Sequence, residues 1–392
     1  GALKDAVDGL IESMSVQMQD KNRLRFALVP FATFVNVGPQ YGPSFDSDGI
    51  QIAGTGAPWL DLRGESPIGQ TELQPGASRF QAYHNVGKSW PGCVETRPSG
   101  DDNYDVSQAA ADRKRPVSLF VPAFAIDEPD TGGYVNSYIA SPVEPGDKSP
   151  SGKKSKLEKY ALKGDDAGKP LPPGLLKKAL KLMLGDGGSM KGIVKIDDRP
   201  SGYQGFAKGP GFGCSTKPIV PLSNDYLTMR QKVKELTAQG TTNIMEGVAW
   251  AHRVLTNGGP LPGAQKTGTA GVQKIMIVLT DGANTMDTTN TKLGSQYSSY
   301  GFLTDGRLLP EGAGGSVSNA MNKRTLAACT FAKEAGVVVY TIRLEEPDQK
   351  TGDLLQQCAT SPAHYFDAPS RAQLDEVFQT IRDRISRVRL SS

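Results

Sequence analysis

Apolar positions fall into helical and strand-like periods at the two ends of the chain and lose all period between them. Residues 2–18 place Leu3, Val7, Leu10, Ile11 and Met14 on one stripe, which predicts an amphipathic helix. The run LRFALVPFATFVNV at 24–37 is rich in β-branched and aromatic residues and predicts a strand, buried on both faces at its start. From about residue 39 Gly, Pro, Ser and Asp crowd the chain, and only short pieces such as VSLFVPAFAI at 117–126 read as strand. Period returns at 223 with a polar N-terminal cap, then Tyr226, Met229, Val233 and Leu236 on one face and Gly240 as the stop. A second helix is predicted from about 244 to 255 and a strand over 275–279. A polar loop follows, then a helix over about 319–335 stopped by Gly336, a strand at 337–344, a short strand at 364–368 and a last helix from 373 to about 388.

Strands alternating with helices predict an α/β fold with a doubly wound, mostly parallel sheet. Its elements lie at 1–42 and 223–392, which leaves 43–222 as one large insertion. A structureless loop of that length does not fit inside a domain, so the insertion is expected to be a mixed subdomain of its own.

Composition narrows the class. With 392 residues, 38% hydrophobic and 22% charged, the chain is a folded soluble protein of one elaborated or two ordinary domains. A net charge of +3 is too small to make nucleic acid the default partner. Beginning at Gly1 without a methionine, it reads as a mature or truncated product. The four cysteines, Cys93, Cys214, Cys329 and Cys358, match no zinc spacing. An even number in a Gly/Pro-rich chain predicts two disulfides and an oxidising compartment, with buried free thiols as the alternative. Of three possible pairings, the one that respects the insertion is Cys93–Cys214 with Cys329–Cys358.

Candidate chemistry centres on KIMIVLTDGANT, where an apolar strand empties onto Asp281. Sites in open α/β sheets form at the carboxyl ends of strands, and the polar loop Gly-Thr-Thr-Asn at 240–243 enters the helix before that strand. A threonine hydroxyl and a carboxylate on one edge are hard donors suited to Mg²⁺, Mn²⁺ or Ca²⁺. Alone, Thr-Asp-Gly is common turn chemistry.

The order of helix, strand, GTTNIMEGVAW, strand, LTDGANT, helix and GVVVYTI resembles the von Willebrand factor A fold with its metal-ion-dependent adhesion site. The resemblance implies that Thr242 is the loop threonine and Asp281 the strand-end acid of that site. It also implies a first strand ending in Asp-x-Ser-x-Ser, which is absent here and is expected upstream of Gly1. The stretch GDGGSMK at 185–191 does not supply it, because counting two and four from Asp186 gives Gly188 and Met190. Several further stretches together are similar to the TadG-like tight-adherence (Flp) pilus-assembly proteins: RFALVPFATFVNVG, SWPGCVETRP, LFVPAFAIDEPD, GFGCSTKPIVPLSND, AACTFAKEAGVVVYTI, LLQQCATSPAHYFDAP and RVRL. That resemblance implies an exported protein, periplasmic or on the bacterial surface, with a membrane anchor upstream. It is expected to bind a protein partner, a pilus or envelope component or a surface ligand, and to bind Mg²⁺ or another divalent cation weakly or not at all in this chain. The alternative is a structural or adhesive pilus subunit that binds through its insertion, with the metal site vestigial.

Other features have plainer readings. Residues 148–181 hold ten lysines against three acids, and GLLKKALKLML within them predicts a cationic amphipathic helix packed on its own subdomain. Trp90 beside Cys93 is expected to pack on a disulfide. His84, His252 and His364 have no partner at ligand spacing, and no Ser/His/Asp or Cys/His order suggests a nucleophile, so no enzyme is expected. Glu246 reads as a helix-start acid facing the dipole, and Asp127, Glu128 and Asp130 as a polar turn around Pro129.

Overall fold

Three apolar stripes on helices decide how the chain closes around its strands. In a computed structural model the described residues are 2–16, 23–73, 76–128, 133–139, 160, 199–310, 314–368 and 370–390. Helix α1 (Ala2–Val16) buries Ala6, Leu10, Ile11 and Met14. The stretch at 24–37 is not one strand. Pro30 brings no N–H to a ladder, and the chain breaks there into β1 (Phe26–Leu28) and β2 (Val35–Asn36). The two pieces join different sheets: β2 pairs antiparallel with β3 (Cys93–Val94), and β1 pairs antiparallel with β4 (Val220–Ser223), a strand the sequence pattern did not show.

Helix α3 (Tyr226–Lys234) starts at Asp225, whose carboxylate accepts the Thr228 N–H at 3.1 Å. It ends well short of Gly240, where its buried stripe of Tyr226, Met229 and Val233 ends. Helix α4 (Ile244–Leu255) leads to β5 (Ile275–Thr280), α5 (Val317–Glu334) and β6 (Val338–Leu344). The next helix, α6 (Gln349–Cys358), was not expected. Its signal is the cap Asp348, which accepts from Thr351 N, followed by Leu354, Leu355 and Cys358 on the buried side. Strand β7 (Tyr365–Ala368) and helix α7 (Arg371–Leu390) close the chain.

The architecture is mixed α/β with a three-stranded parallel sheet, β5-β6-β7, beside the two-stranded β1-β4 pair. A single continuous doubly wound sheet is therefore not formed among the described residues. Helices cover both faces. Stripes from α1, α3 and α7 pack over Ile275, Ile277, Leu279, Tyr340, Ile342, Phe26 and Leu28. On the opposite face Ile244, Met245 and Val248 of α4, with residues of α5 and α6, pack on Met276, Val278 and Val339.

Among the described residues of 43–222, the stretch read as an insertion, little is regular. It contributes α2 (Arg79–Asn85), capped by Ser78, and β3. The stretch 117–126 is not a strand: Pro116 and Pro122 lack donors, and isolated pairings such as Leu60 with Phe120 hold it instead. Residues 119–126 are nevertheless all buried, and Phe120, Ala123, Phe124, Ala125 and Ile126 join a large aromatic core with Phe34, Phe80, Tyr83 and Trp90. That core also takes in Trp250 and Val254 of α4 and Leu293, Tyr297 and Phe302 from the segment after β5. The segment read as a polar loop is thus a buried, apolar part of the insertion's packing. Trp250 lies 4.8 Å from the Phe120 ring and 6.4 Å from Trp59. Trp90 donates to the Cys93 carbonyl at 2.7 Å and sits edge-on to Phe80. Apart from Tyr160, the lysine-rich segment 148–181 lies outside the described residues, as do 185–191 and Asp130.

Disulfides join Cys93 to Cys214 and Cys329 to Cys358, the second tying α5 to α6. Both cysteines of the second bridge are fully buried. Replacing both by alanine is expected to lower the unfolding free energy by about 2–4 kcal/mol, chiefly by freeing the unfolded chain. Urea denaturation of the double variant checks this, and an unchanged midpoint refutes it.

Candidate functional site

The apolar run of β5 stops at Thr280 because the next residues turn the chain over the sheet edge. Thr280 Oγ1 donates to the Gly282 carbonyl at 2.8 Å and accepts the Gly282 N–H at 3.2 Å. Asp281 between them is exposed to solvent. Facing it is the loop into α4, where Gly240 has φ +89 and Asn243 caps the helix by accepting from Glu246 N. The two loops touch. The Thr285 N–H donates to the Thr242 carbonyl at 2.9 Å, and a Cβ on Gly282 would lie 3.0 Å from Thr242 Oγ1. Asn284 Oδ1 accepts the Ile244 N–H at 2.8 Å, while its Nδ2 reaches Asn322 Oδ1 and Thr325 Oγ1 on α5 at 2.8 and 3.0 Å. The structure thus brings the Thr242 and Asp281 loops to one edge, with Gly282 close against the Thr242 side chain.

As a cation site this donor set is short. It offers one hydroxyl and one carboxylate, and among the described residues no group of three or more His, Cys, Asp or Glu is placed to hold a metal. A Mg²⁺ ion takes six oxygens and gives up water reluctantly. These residues by themselves do not fit a cation, and no chemistry is assigned to one.

Behind the edge lies a buried polar cluster that sequence reasoning missed. Asn243 Nδ2 donates to Ser299 Oγ at 3.0 Å, and the Ser299 and Thr96 hydroxyls are 2.9 Å apart. The Thr96 hydroxyl in turn bonds the Glu246 carboxylate. Glu246 is therefore an interior residue tied to the insertion, and burial raises its pKa above the usual range against the opposing effect of Arg253 and the Thr96 bond. One residue earlier in the insertion, Glu95 forms ion pairs with Arg79 and Arg307 and accepts the Tyr297 hydroxyl at 2.5 Å. Burial alone raises its pKa, but the two guanidiniums and their hydrogen bonds prevail and hold it below the usual carboxylate range. The signals for this cluster were single charged residues, Glu95 in CVETRP and Arg307, inside stretches without period.

The histidines are structural. His252 is buried on α4, and burial with nearby Arg253 and Lys274 lowers its pKa to about 4. His84 stacks on Phe45 at 4.4 Å, and His364 Nδ1 is 2.7 Å from Ser361 Oγ. Asp127 is buried, and its Oδ1 accepts the N–H groups of Tyr138 and Ile139, so it ties two separate stretches together instead of closing a local turn. Among the described residues no helix is long and apolar enough to cross a membrane.

No family model matches the chain, and no curated relative does. Among solved structures it is similar to the pilus adhesin SpaC from Lactobacillus rhamnosus GG in its open conformation, with 21% identity and a TM-score of 0.31 over 43% of this chain and 22% of SpaC. It is also similar to the vWF domain of the type V pili tip protein Mfa5 from Porphyromonas gingivalis, with 17% identity and a TM-score of 0.30 over 43% of this chain and 75% of that one. A third is proximal thread matrix protein 1 from the mussel byssus with a zinc-occupied MIDAS motif, with 16% identity and a TM-score of 0.28 over 43% of this chain and 34% of that one. The chain spans about a fifth of SpaC, 22% of its length.

The two buried acids are expected to respond oppositely to neutralisation. Glu95→Gln leaves two guanidiniums with a weakened partner and is expected to cost about 3–5 kcal/mol at pH 7. Glu246→Gln relieves a desolvated charge and is expected to be neutral or stabilising at pH 7. Urea unfolding of both variants side by side reads the difference, and equal losses would refute it. The pH dependence has a defined sign. His252 stays neutral in the fold while the unfolded chain takes up its proton, so stability falls as pH drops from about 6.5 to about 4. Glu95, with its depressed pKa, stabilises above the ordinary carboxylate range and adds to the loss once pH falls through that range. Glu246, with its raised pKa, acts the other way, its contribution being lost as pH rises. The His252→Gln variant is expected to flatten the curve between about pH 6.5 and 5 in pH-dependent thermal melts.

Proposed function

We propose that the chain is the exported, partner-binding part of a TadG-like tight-adherence pilus-assembly protein built on a von Willebrand A-type domain, and that it acts by binding without catalysis. The observation that carries this reading is the meeting of two polar loops at the carboxyl edge of the parallel strands. Thr242 and Asp281 come from separate elements, and the hydrogen bond from the Thr285 N–H to the Thr242 carbonyl joins their loops. Asp281 faces solvent, as a residue that receives a partner must. Support for export comes from the two disulfides, which persist in oxidising compartments.

On this reading the edge that carries Thr242 and Asp281 is the partner-contact surface, and two such donors are too few to hold Mg²⁺ tightly. Calorimetric titration of this chain with Mg²⁺ or Mn²⁺ is expected to show no binding tighter than about 1 mM, and tighter binding overturns the two-ligand reading. A second reading places partner contact on the insertion, whose aromatic core makes it a rigid platform independent of any ion. Asp281→Ala decides between them in a binding assay against isolated pilus and envelope fractions. Loss of binding favours the edge, and unchanged binding favours the insertion.

A further inference from the structure

A cleft beside the polar edge carries one negative charge and, among the described residues, no positive one. Thr33 and Thr241, whose hydroxyls lie 3.0 Å apart, line it together with the rings of Tyr203, Phe206 and Phe212. Two stretches of chain build it. In the first, the Cys93–Cys214 disulfide anchors the segment that carries Phe212. Gly213 holds φ +84 there, and a Cβ on it would lie 3.1 Å from the Phe34 ring. Phe206 meets Phe212 edge-on at 5.2 Å, and Tyr203 stacks on Phe212 at 6.1 Å. The second stretch is the chain that leaves Asp281 and reaches Met286 and Asp287, where the Gln296 N–H donates to the Asp287 carbonyl at 2.8 Å.

Asp287 supplies the charge. Its Oδ2 accepts the Tyr203 hydroxyl and, at 3.4 Å, Gln204 Nε2, while its Oδ1 accepts no hydrogen bond among the described residues. The contrast with other shielded acids is plain. Glu95, Asp105 and Asp8 each pair with an arginine, whereas half-buried Asp287 has no cation against it among the described residues. Burial accordingly pushes its carboxyl above the usual range, with no opposing charge. A shielded carboxylate without a counter-charge costs stability, which a cation arriving from outside would offset.

We propose that this cleft receives a lysine side chain of the protein partner, with its ammonium held between the Asp287 carboxylate and the rings of Tyr203, Phe206 and Phe212. The size of the space selects the group. The void is about 10 Å³, room for one water-sized group. An ammonium is that small and carries three donors, whereas a guanidinium is a wide planar fork. Asp287 Oδ1 and the threonine hydroxyls are acceptors for those donors, and aromatic faces attract a cation. Met286 and the rings give the aliphatic stem an apolar bed. The inference rests on the reading that this edge meets a protein partner and names what that partner presents.

The test titrates the chain with Nα-acetyl-lysine amide, Nα-acetyl-arginine amide and Nα-acetyl-norleucine amide, following the Met286 methyl resonance. The lysine compound is expected to bind at least about tenfold tighter than the other two. Asp287→Asn keeps the size of the side chain and an acceptor for Tyr203, and is expected to remove that preference. Equal affinity for the three compounds overturns the proposal, as does a preference that survives in Asp287→Asn. No binding of the lysine compound also overturns it, whether the cleft holds only water or one of the chain's own lysines. Against a pilus or envelope fraction that the chain binds, Asp287→Asn and acetylation of the fraction's lysines are each expected to weaken binding about tenfold or more; indifference to both overturns the assignment to a partner's lysine. Because the titration needs no partner, the two readings fail separately. Absence of a lysine preference while Asp281→Ala still abolishes partner binding removes this inference and leaves the binding edge standing.

Discussion

The buried carboxylate of Glu95 is the constraint on which the arrangement of the polar edge depends. It sits between Arg79 of α2 and Arg307 of the segment after β5, with the Tyr297 hydroxyl as a further donor. An ion group of this kind carries a desolvation cost that only full pairing offsets. Its geometry is therefore demanding, and three distant parts of the chain must be in place together. Arg307 also donates to the carbonyl of Thr96, and Thr96 is bonded to Glu246 and Ser299. Glu95 and Thr96 follow directly on Cys93 and β3, so the disulfide to Cys214 and the β2–β3 pairing fix the position from which the cluster is built.

This cluster explains why the insertion and the α/β elements share a core. Helix α4 presents one face to the sheet through Met245 and Val248, and it offers Trp250, Val254 and Arg253 to the insertion. Arg253 donates to the carbonyl of Asp105 at 2.6 Å, and the Asp105 carboxylate pairs with Arg324 of α5. Its guanidinium also lies over the Phe120 and Trp250 rings at 5.1 and 5.0 Å. A helix held on two sides by unlike materials, apolar strands and a buried ionic web, has little freedom to move. The loop at its N-terminus, which carries Thr242, inherits that rigidity, and rigid placement of a small number of polar groups is what a binding edge needs.

Helices α1, α3, α4, α5 and α7 and the strands of the parallel sheet were legible because their information is local and periodic. The stripes of α1 and α4 and the apolar run of β5 each repeat within a dozen residues. What escaped was non-local or broken by proline. Pro30 divides a run that looks continuous, and β4 carries Pro221, which reads as a breaker although it sits in a two-stranded pair with a free edge. The segment after β5 looked polar because its Tyr and Ser residues alternate without period. Yet Tyr297 and Ser299 are buried, each hydrogen-bonded to a partner some 200 positions away in sequence. Thr242 and Asp281 were legible as positions on an edge; Asn284, which locks their loops together, had no signal beyond its place three residues after Asp281.

The same contrast explains how the molecule holds a sheet in two pieces. Backbone pairing normally makes a sheet cohere, and a bare edge next to apolar surface is a liability that folded proteins cover. Here β1-β4 and β5-β6-β7 are kept in one layer by side chains instead. Tyr226 of α3 packs edge-on to Phe26 of β1 at 5.9 Å and donates to the Leu24 carbonyl, while α1 ties α3 to α7 across the layer through the Arg230–Asp8 pair and its apolar stripe. On the opposite face α4 touches strands of both pieces. Helices that bridge the two pieces from both sides hold them in register without a backbone ladder between them.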